Sequence, residues 1–169
     1  SMERRQLAKT GMLRSAHMLG NEEEIIFTAT DLLADTKLAP ELSNEAHYYR
    51  AKAYLDAGKT DGAMEDLKIL AKDTRNVYGA EAKYKVAQIY FDGGQTDKAE
   101  QEVLNYIEVS TPHTYWLARS FVLLADVYMK SGRNLDAKQY LLSLKQNYQA
   151  DDDIAGMIES RLEKLKTEN

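Results

Sequence analysis

One passage of this chain is written twice. Glu45 to Ala63 reads EAHYYRAKAYLDAGKTDGA, and 36 residues later Glu81 to Ala99 reads EAKYKVAQIYFDGGQTDKA. A third, looser copy follows. Tyr54, Tyr90 and Tyr128 stand 36 and 38 residues apart, as do Gly58, Gly94 and Gly132. The same steps relate Ala51, Ala87 and Ala125, and likewise Ala63, Ala99 and Ala137. They also relate Leu67, Val103 and Leu141, and Leu70, Tyr106 and Leu144. A repeat of this period is one supersecondary unit, which cannot bury its apolar face alone and must stack on its neighbours.

Each unit reads as two helices. Tyr84, Ala87, Tyr90 and Phe91 carry the apolar and small residues of a first helix at helical spacing. A glycine then ends that helix, because the residue beyond a helix C-terminus favours positive φ. Thr60, Thr96 or Asn134 follows and is predicted to be the N-cap of the second helix. Alanine recurring in one column of that helix marks a close backbone approach, where nothing larger fits.

The flanks are weaker copies. Met12 to Leu33 reads as a degenerate unit, with Gly20 as its turn and Ile25 in the alanine column. Thr111-Pro112 has the composition of a helix start, Thr as N-cap and Pro at the first helical position. Asp151-Asp152-Asp153 precedes an apolar stripe of Ile154, Met157, Ile158, Leu162 and Leu165, which suits a terminal cap with one wet face. The expected architecture is all-α: a right-handed superhelical solenoid of antiparallel helix pairs with a C-terminal capping helix. It comprises one domain over 1–169, with repeats at 3–36, 41–74, 78–109 and 112–148 and the cap at 151–166.

Composition bounds the chemistry. Lys plus Arg is 22 against 27 Asp plus Glu, a net charge of −5. That balance argues against a nucleic-acid partner, which needs clustered positive charge. With no cysteine there is neither a disulfide nor a thiolate metal site, in a periplasmic chain as in a cytosolic one. No apolar run reaches the roughly 20 residues of a membrane span, so direct membrane insertion is not expected. Ser1-Met2 resembles a scar of tag removal, and the chain is expected to be a fragment of a longer protein.

No catalytic constellation is legible. His17, His47 and His113 fall in different units, none with a metal or triad partner at a recognisable spacing. Glu22-Glu23-Glu24 reads as a solvated helix start, stabilised by the helix dipole. The triple Asp lacks EF-hand spacing and suits a helix start for the same reason. The six methionines read as core filler. Catalytic residues, metal and cofactor are therefore expected to be absent.

The columns Ala51-Tyr54-Gly58-Ala63, Ala87-Tyr90-Gly94-Ala99 and Ala125-Tyr128-Gly132-Ala137 resemble the tetratricopeptide repeat. The likeness is strong from Asn44 to Tyr148 and loose from Met12 to Leu33. The family's usual Trp column holds His47, Lys83 and Phe121 here, its closing Pro is missing, and the period exceeds the usual 34. The resemblance implies a concave groove lined by first helices. Its columns carry over to Glu45, Tyr48, Lys52, Leu55 and Asp56; to Glu81, Tyr84, Gln88, Phe91 and Asp92; and to Arg119, Val122, Asp126, Met129 and Lys130. Tyr48 and Tyr84 are stiff and amphipathic, suited either to ligand contact or to packing between helices. Trp116 and Tyr115 are expected to pack rather than bind. The family's carboxylate-clamp columns hold Tyr48, Lys52, Tyr84 and Gln88, which speaks against a carboxylate-binding role.

The resemblance implies a non-catalytic scaffold that binds a protein or peptide in that groove. The alternative is a structural self-assembly segment of a larger array, with self-association and no independent ligand. Asn76 to Tyr84 and Pro112 to Tyr128 also look like large bacterial cell-envelope repeat proteins described as similar to Tol–Pal-associated ones. That likeness implies a periplasmic or envelope location, though cytoplasmic placement fits the composition equally.

Overall fold

A computed structural model describes residues 1–167. Among them all regular structure is helical: α1 (Met2–Met18), α2 (Glu22–Leu33), α3 (Pro40–Asp56), α4 (Thr60–Leu70), α5 (Val77–Asp92), α6 (Thr96–Val109), α7 (Thr114–Lys130), α8 (Asn134–Asn147) and α9 (Ile154–Thr167). The chain forms two compact units. One runs from Ser1 to Ala82 and the other begins at Lys83, the division falling inside α5. No helix among the described residues is long and apolar enough to cross a membrane.

The short turns have a specific cause. Gly20, Gly58, Gly94 and Gly132 adopt φ of +66°, +74°, +78° and +75°. At the second turn, Gly58 N–H donates to Leu55 O at 3.0 Å and Lys59 N–H donates to Tyr54 O at 2.7 Å. These two bonds satisfy carbonyls that the helix end would leave orphaned. Gln95 N–H to Tyr90 O and Arg133 N–H to Tyr128 O, both 2.8 Å, repeat the closing bond. The Tyr-x3-Gly spacing read from the sequence is the imprint of this motif.

The same motif corrects the predicted N-caps. Thr60, Thr96 and Asn134 are the first residues of their helices, and the caps are Lys59, Gln95 and Arg133, whose side chains make no capping bond. The turn is so short that the residue closing one helix also opens the next. Only Asn21 both ends α1's turn and caps α2, its Oδ1 accepting from Glu24 N at 3.2 Å. The start of α7 also differs from expectation. Thr111 and Pro112 precede the helix, whose N-cap is His113, and Thr111 Oγ1 accepts from His113 N at 3.1 Å. The triple Asp likewise stays outside α9, with Asp152 Oδ1 accepting from Ile154 N at 2.9 Å.

In the first unit, Leu13 and Ala16 of α1, Ile25, Ala29 and Leu32 of α2, and Ala46 and Ala53 of α3 form one buried cluster. In the second, Val103, Tyr106, Leu123, Leu124, Leu141, Ile154 and Ile158 anchor another. The column alanines Ala63, Ala99 and Ala137 are fully buried, as close helix packing requires. The core-filler reading holds for only part of the methionines: Met129 and Met157 pack half-buried against the second cluster, whereas Met2, Met12 and Met18 are exposed. Ala80, at the start of α5, is fully buried. It sits beside Gly79, where a Cβ would come 2.5 Å from Leu70 O and closer still to Asp73 O. The last turn of α4 presses directly on the first turn of α5, which the repeat columns do not reveal.

Candidate functional site

The predicted groove residues are shared between the two units, with Glu45 to Glu81 in the first and Tyr84 to Lys130 in the second. In the first unit Tyr48 donates from its hydroxyl to Glu81 Oε1 at 3.1 Å and accepts from Lys52 Nζ at 3.2 Å. Its ring stacks on Tyr78 with centroids 4.4 Å apart. Burial, together with the neighbouring Glu81 carboxylate, pushes the Tyr48 phenol well above its usual pKa. Glu45 is nearly buried and accepts two bonds from Arg14, at 2.6 and 2.9 Å. Its side chain therefore ties α3 to α1 and is already occupied. Leu55 is half-buried and Asp56 exposed at the end of α3.

In the second unit, Tyr84 is buried. Its hydroxyl donates to Gln88 Oε1 at 2.8 Å and accepts from Arg119 Nη2 at 3.0 Å. The Arg119 guanidinium lies 4.8 Å from the Tyr84 ring centroid and 5.9 Å from that of Trp116, and Trp116 stacks on Tyr84 at 5.7 Å. The packing role read for Trp116 holds. Tyr84 shares it: burial raises its pKa, although Arg119 pulls the other way. Gln88 also donates to Asp92 Oδ1 at 2.7 Å. Val122 is buried beneath this face and is a core residue.

Phe91, Asp126, Met129 and Lys130 do converge. They line an open pocket of about 470 Å³ together with Ser160, Arg161 and Lys164 of α9. Arg161 donates from Nε to Asp126 Oδ1 at 2.8 Å and from Nη2 to Oδ2 at 2.9 Å. Lys130 is exposed, with its Nζ 6.0 Å from the Phe91 centroid. Groove columns on first helices could not have pointed to α9. The only available signal was the run of Arg161, Lys164 and Lys166 on the polar side of the predicted cap. With Asp126 neutralised by Arg161, the lining keeps Lys130 and Lys164 as cations beside apolar Phe91 and Met129. The net sign of this pocket is positive.

His47 also departs from expectation. Its Nδ1 lies 2.7 Å from Oδ1 of Asp66, which is fully buried. Arg50 donates to both carboxylate oxygens of Asp66, at 2.9 and 2.7 Å, and to Thr30 Oγ1 at 3.1 Å. Burial favours the neutral acid, but these donors outweigh it and hold the Asp66 carboxyl below its usual pKa. Both oxygens are engaged, so the cluster is suited to joining α3 to α4 rather than to proton transfer. His17 stacks on Tyr49 at 4.3 Å. Among the described residues, no group of three or more His, Asp or Glu side chains could hold a metal ion.

The family profile described as Tetratricopeptide repeat matches residues 45–73. Two crystal structures share the fold, both of nearly identical TPR-like repeats from a Podosopora anserina protein described as a putative kinesin light chain, one of them a point variant. The variant superposes with a TM-score of 0.61 at 15% identity, over 96% of this chain and 93% of that one. The second gives 0.59 at 16% identity, over 96% and 94%. No curated protein matches the sequence. The chain has the fold of tetratricopeptide-like repeats. Such repeats generally mediate protein–protein interaction or assembly, and the fold is typically non-catalytic.

Proposed function

We propose that this chain is a non-catalytic interaction scaffold that binds a segment of another protein. The principal seat is the pocket between α7 and α9 of the second unit. One observation carries the reading: four residues carried over from the family's groove columns, Phe91, Asp126, Met129 and Lys130, line one open pocket. Concave sites with an apolar floor and a few placed charges are the usual form of a recognition pocket. Lys130 and Lys164 beside Phe91 and Met129 suit a partner segment that pairs an acidic side chain with an apolar one.

In the first unit, Tyr48 and Lys52 form a secondary contact surface, since Tyr48 is half-exposed and its ring is held in place by Tyr78. The bacterial cell-envelope setting rests on the likeness of residues 76–84 and 112–128 to such proteins, and we retain it as part of the proposal.

The experiment is affinity capture with two baits, the native chain and the double variant Lys130→Glu, Lys164→Glu. Both lysines are exposed, so the fold should survive, with circular dichroism as the control. A partner captured by the native chain and lost from the variant supports the pocket. Equal capture by both baits places binding elsewhere. A chain that captures nothing and self-associates favours the structural segment.

A further inference from the structure

We propose that the outer face of α1 seats the second helix of another helix pair of this same repeat type, packed on α1 as α2 packs on α3. The inference rests on α1 alone and is independent of the pocket reading.

In the first unit, Ala46 and Ala53 of α3 are buried in one cluster with Ile25, Ala29 and Leu32 of α2, and Tyr49 packs against it. Three positions of a first helix, spaced three and four apart, thus receive the preceding second helix. The repeat register places Ala82 and Ser120 in the column of Ala46, and Val127 in the column of Ala53; all three are buried. Aligning Gly20 with Gly58 puts Ala8, Gly11 and Ser15 of α1 in these columns. All three are exposed, and a Cβ added at Gly11 would meet nothing within 4 Å.

Around this strip stand Leu7, Met12, Met18 and Leu19, exposed by 66%, 52%, 85% and 83%. Single exposed apolar residues need no explanation, but four on one helix and its end make a face. The opposite side of α1, through Thr10, Leu13 and Ala16, is already buried in the core. A helix apolar on both sides belongs between two others.

α9 shows the opposite pattern, with one apolar side and one wet side. α9 buries Ile154, Ile158 and Leu165 and shows water Glu159, Ser160, Glu163, Lys164 and Lys166. Terminal repeats need such a polar outer face, and α1 lacks one. The occupant that fits is an amphipathic helix with Ile, Ala and Leu in the places of Ile25, Ala29 and Leu32. An acidic flank would meet exposed Arg4 and Arg5.

The test begins with sedimentation equilibrium of the native chain, which should be a monomer. A dimer dispersed by Ser15→Arg would overturn the proposal and make a second copy the occupant. Next, residues 2–39 are duplicated in tandem, so that the copied α2 precedes α1 at the spacing by which α2 precedes α3. One unfolding transition with a raised Tm is expected. Amide exchange of the second α1 should slow about tenfold or more, a tenfold slowing being ~1.4 kcal/mol of local stability. The change Gly11→Arg, Ser15→Arg in that second α1 should abolish the gain, while not lowering the Tm of the unduplicated chain, where a helical glycine is replaced by a better helix former. Two separate transitions, or an unchanged Tm, would sink the proposal.

Discussion

Arg161 of α9 meets Asp126 of α7 in a two-bond pairing, Nε to Oδ1 at 2.8 Å and Nη2 to Oδ2 at 2.9 Å. The last helix thereby neutralises the one acidic residue of the candidate pocket. Arg161→Met should lower stability only modestly, by about 1 kcal/mol, because the pair is partly exposed and solvent-screened. Arg161→Lys should recover part of the loss, since lysine keeps the charge without the fork. Urea midpoints of the three proteins measure this. Equal midpoints would show that α9 is held by its apolar stripe alone.

Asp66 gives the chain an acid-sensitive joint. Its folded pKa is depressed, so its contribution is full above the unfolded value of about 3.9 and is lost as pH falls through the folded one. Asp66→Asn leaves Arg50 without its counter-charge, and breaking a buried pair this way costs about 3–5 kcal/mol. Stability measured against pH should fall for the native chain below about pH 4, and the variant should lack that part of the slope. Parallel curves would mean that Asp66 is not the responsible group.

Two glycines should behave differently toward alanine. At Gly58 the only penalty is φ of +74° with open space around the Cβ, about 1–2 kcal/mol. At Gly79 the added methyl would strike the carbonyls of Leu70 and Asp73, so α4 and α5 must separate. Gly79→Ala should melt well below Gly58→Ala in a thermal scan. The reverse order would show that the α4–α5 approach is looser than the geometry indicates.

Tyr84 is predicted to be a core residue that holds Arg119. Tyr84→Ala should cost about 3–5 kcal/mol, as for other buried aromatics, and Tyr84→Phe about 1 kcal/mol for the lost hydroxyl bonds. Denaturant titration of both separates packing from hydrogen bonding. A fully stable Tyr84→Ala would return this ring to the groove.

Ala80→Phe and Ala99→Phe should both destabilise by about 1–3 kcal/mol or more, because each alanine is fully buried. Melting temperatures of the two variants check this. An innocuous Ala80→Phe would mean that the start of α5 faces solvent.

The legible part of the site was its first-helix columns. Phe91, Asp126, Met129 and Lys130 share a pocket because residues three and four apart on a helix face one way, and Phe91 and Met129 occupy the same repeat column. Tyr84, Val122 and Glu45 came from the same columns and are buried or already paired. Column membership gives a direction from the helix axis and says nothing about what the neighbouring helix brings. The repeat columns could not point to Arg161 and Lys164, because their helix is no part of the repeat.

Local and periodic features were settled by the sequence itself: helices only among the described residues, a turn after each Tyr-x3-Gly, and alanine columns where backbones approach. Each depends on φ preference, helical spacing or side-chain volume, which act within a few residues and recur with the period. Tertiary structure alone decided which polar groups met. Asp66 lies 16 residues from Arg50, and Asp126 lies 35 from Arg161. These pairs form because packing apolar stripes brings distant helices to one depth, and burial then makes an unpaired charge too costly to leave.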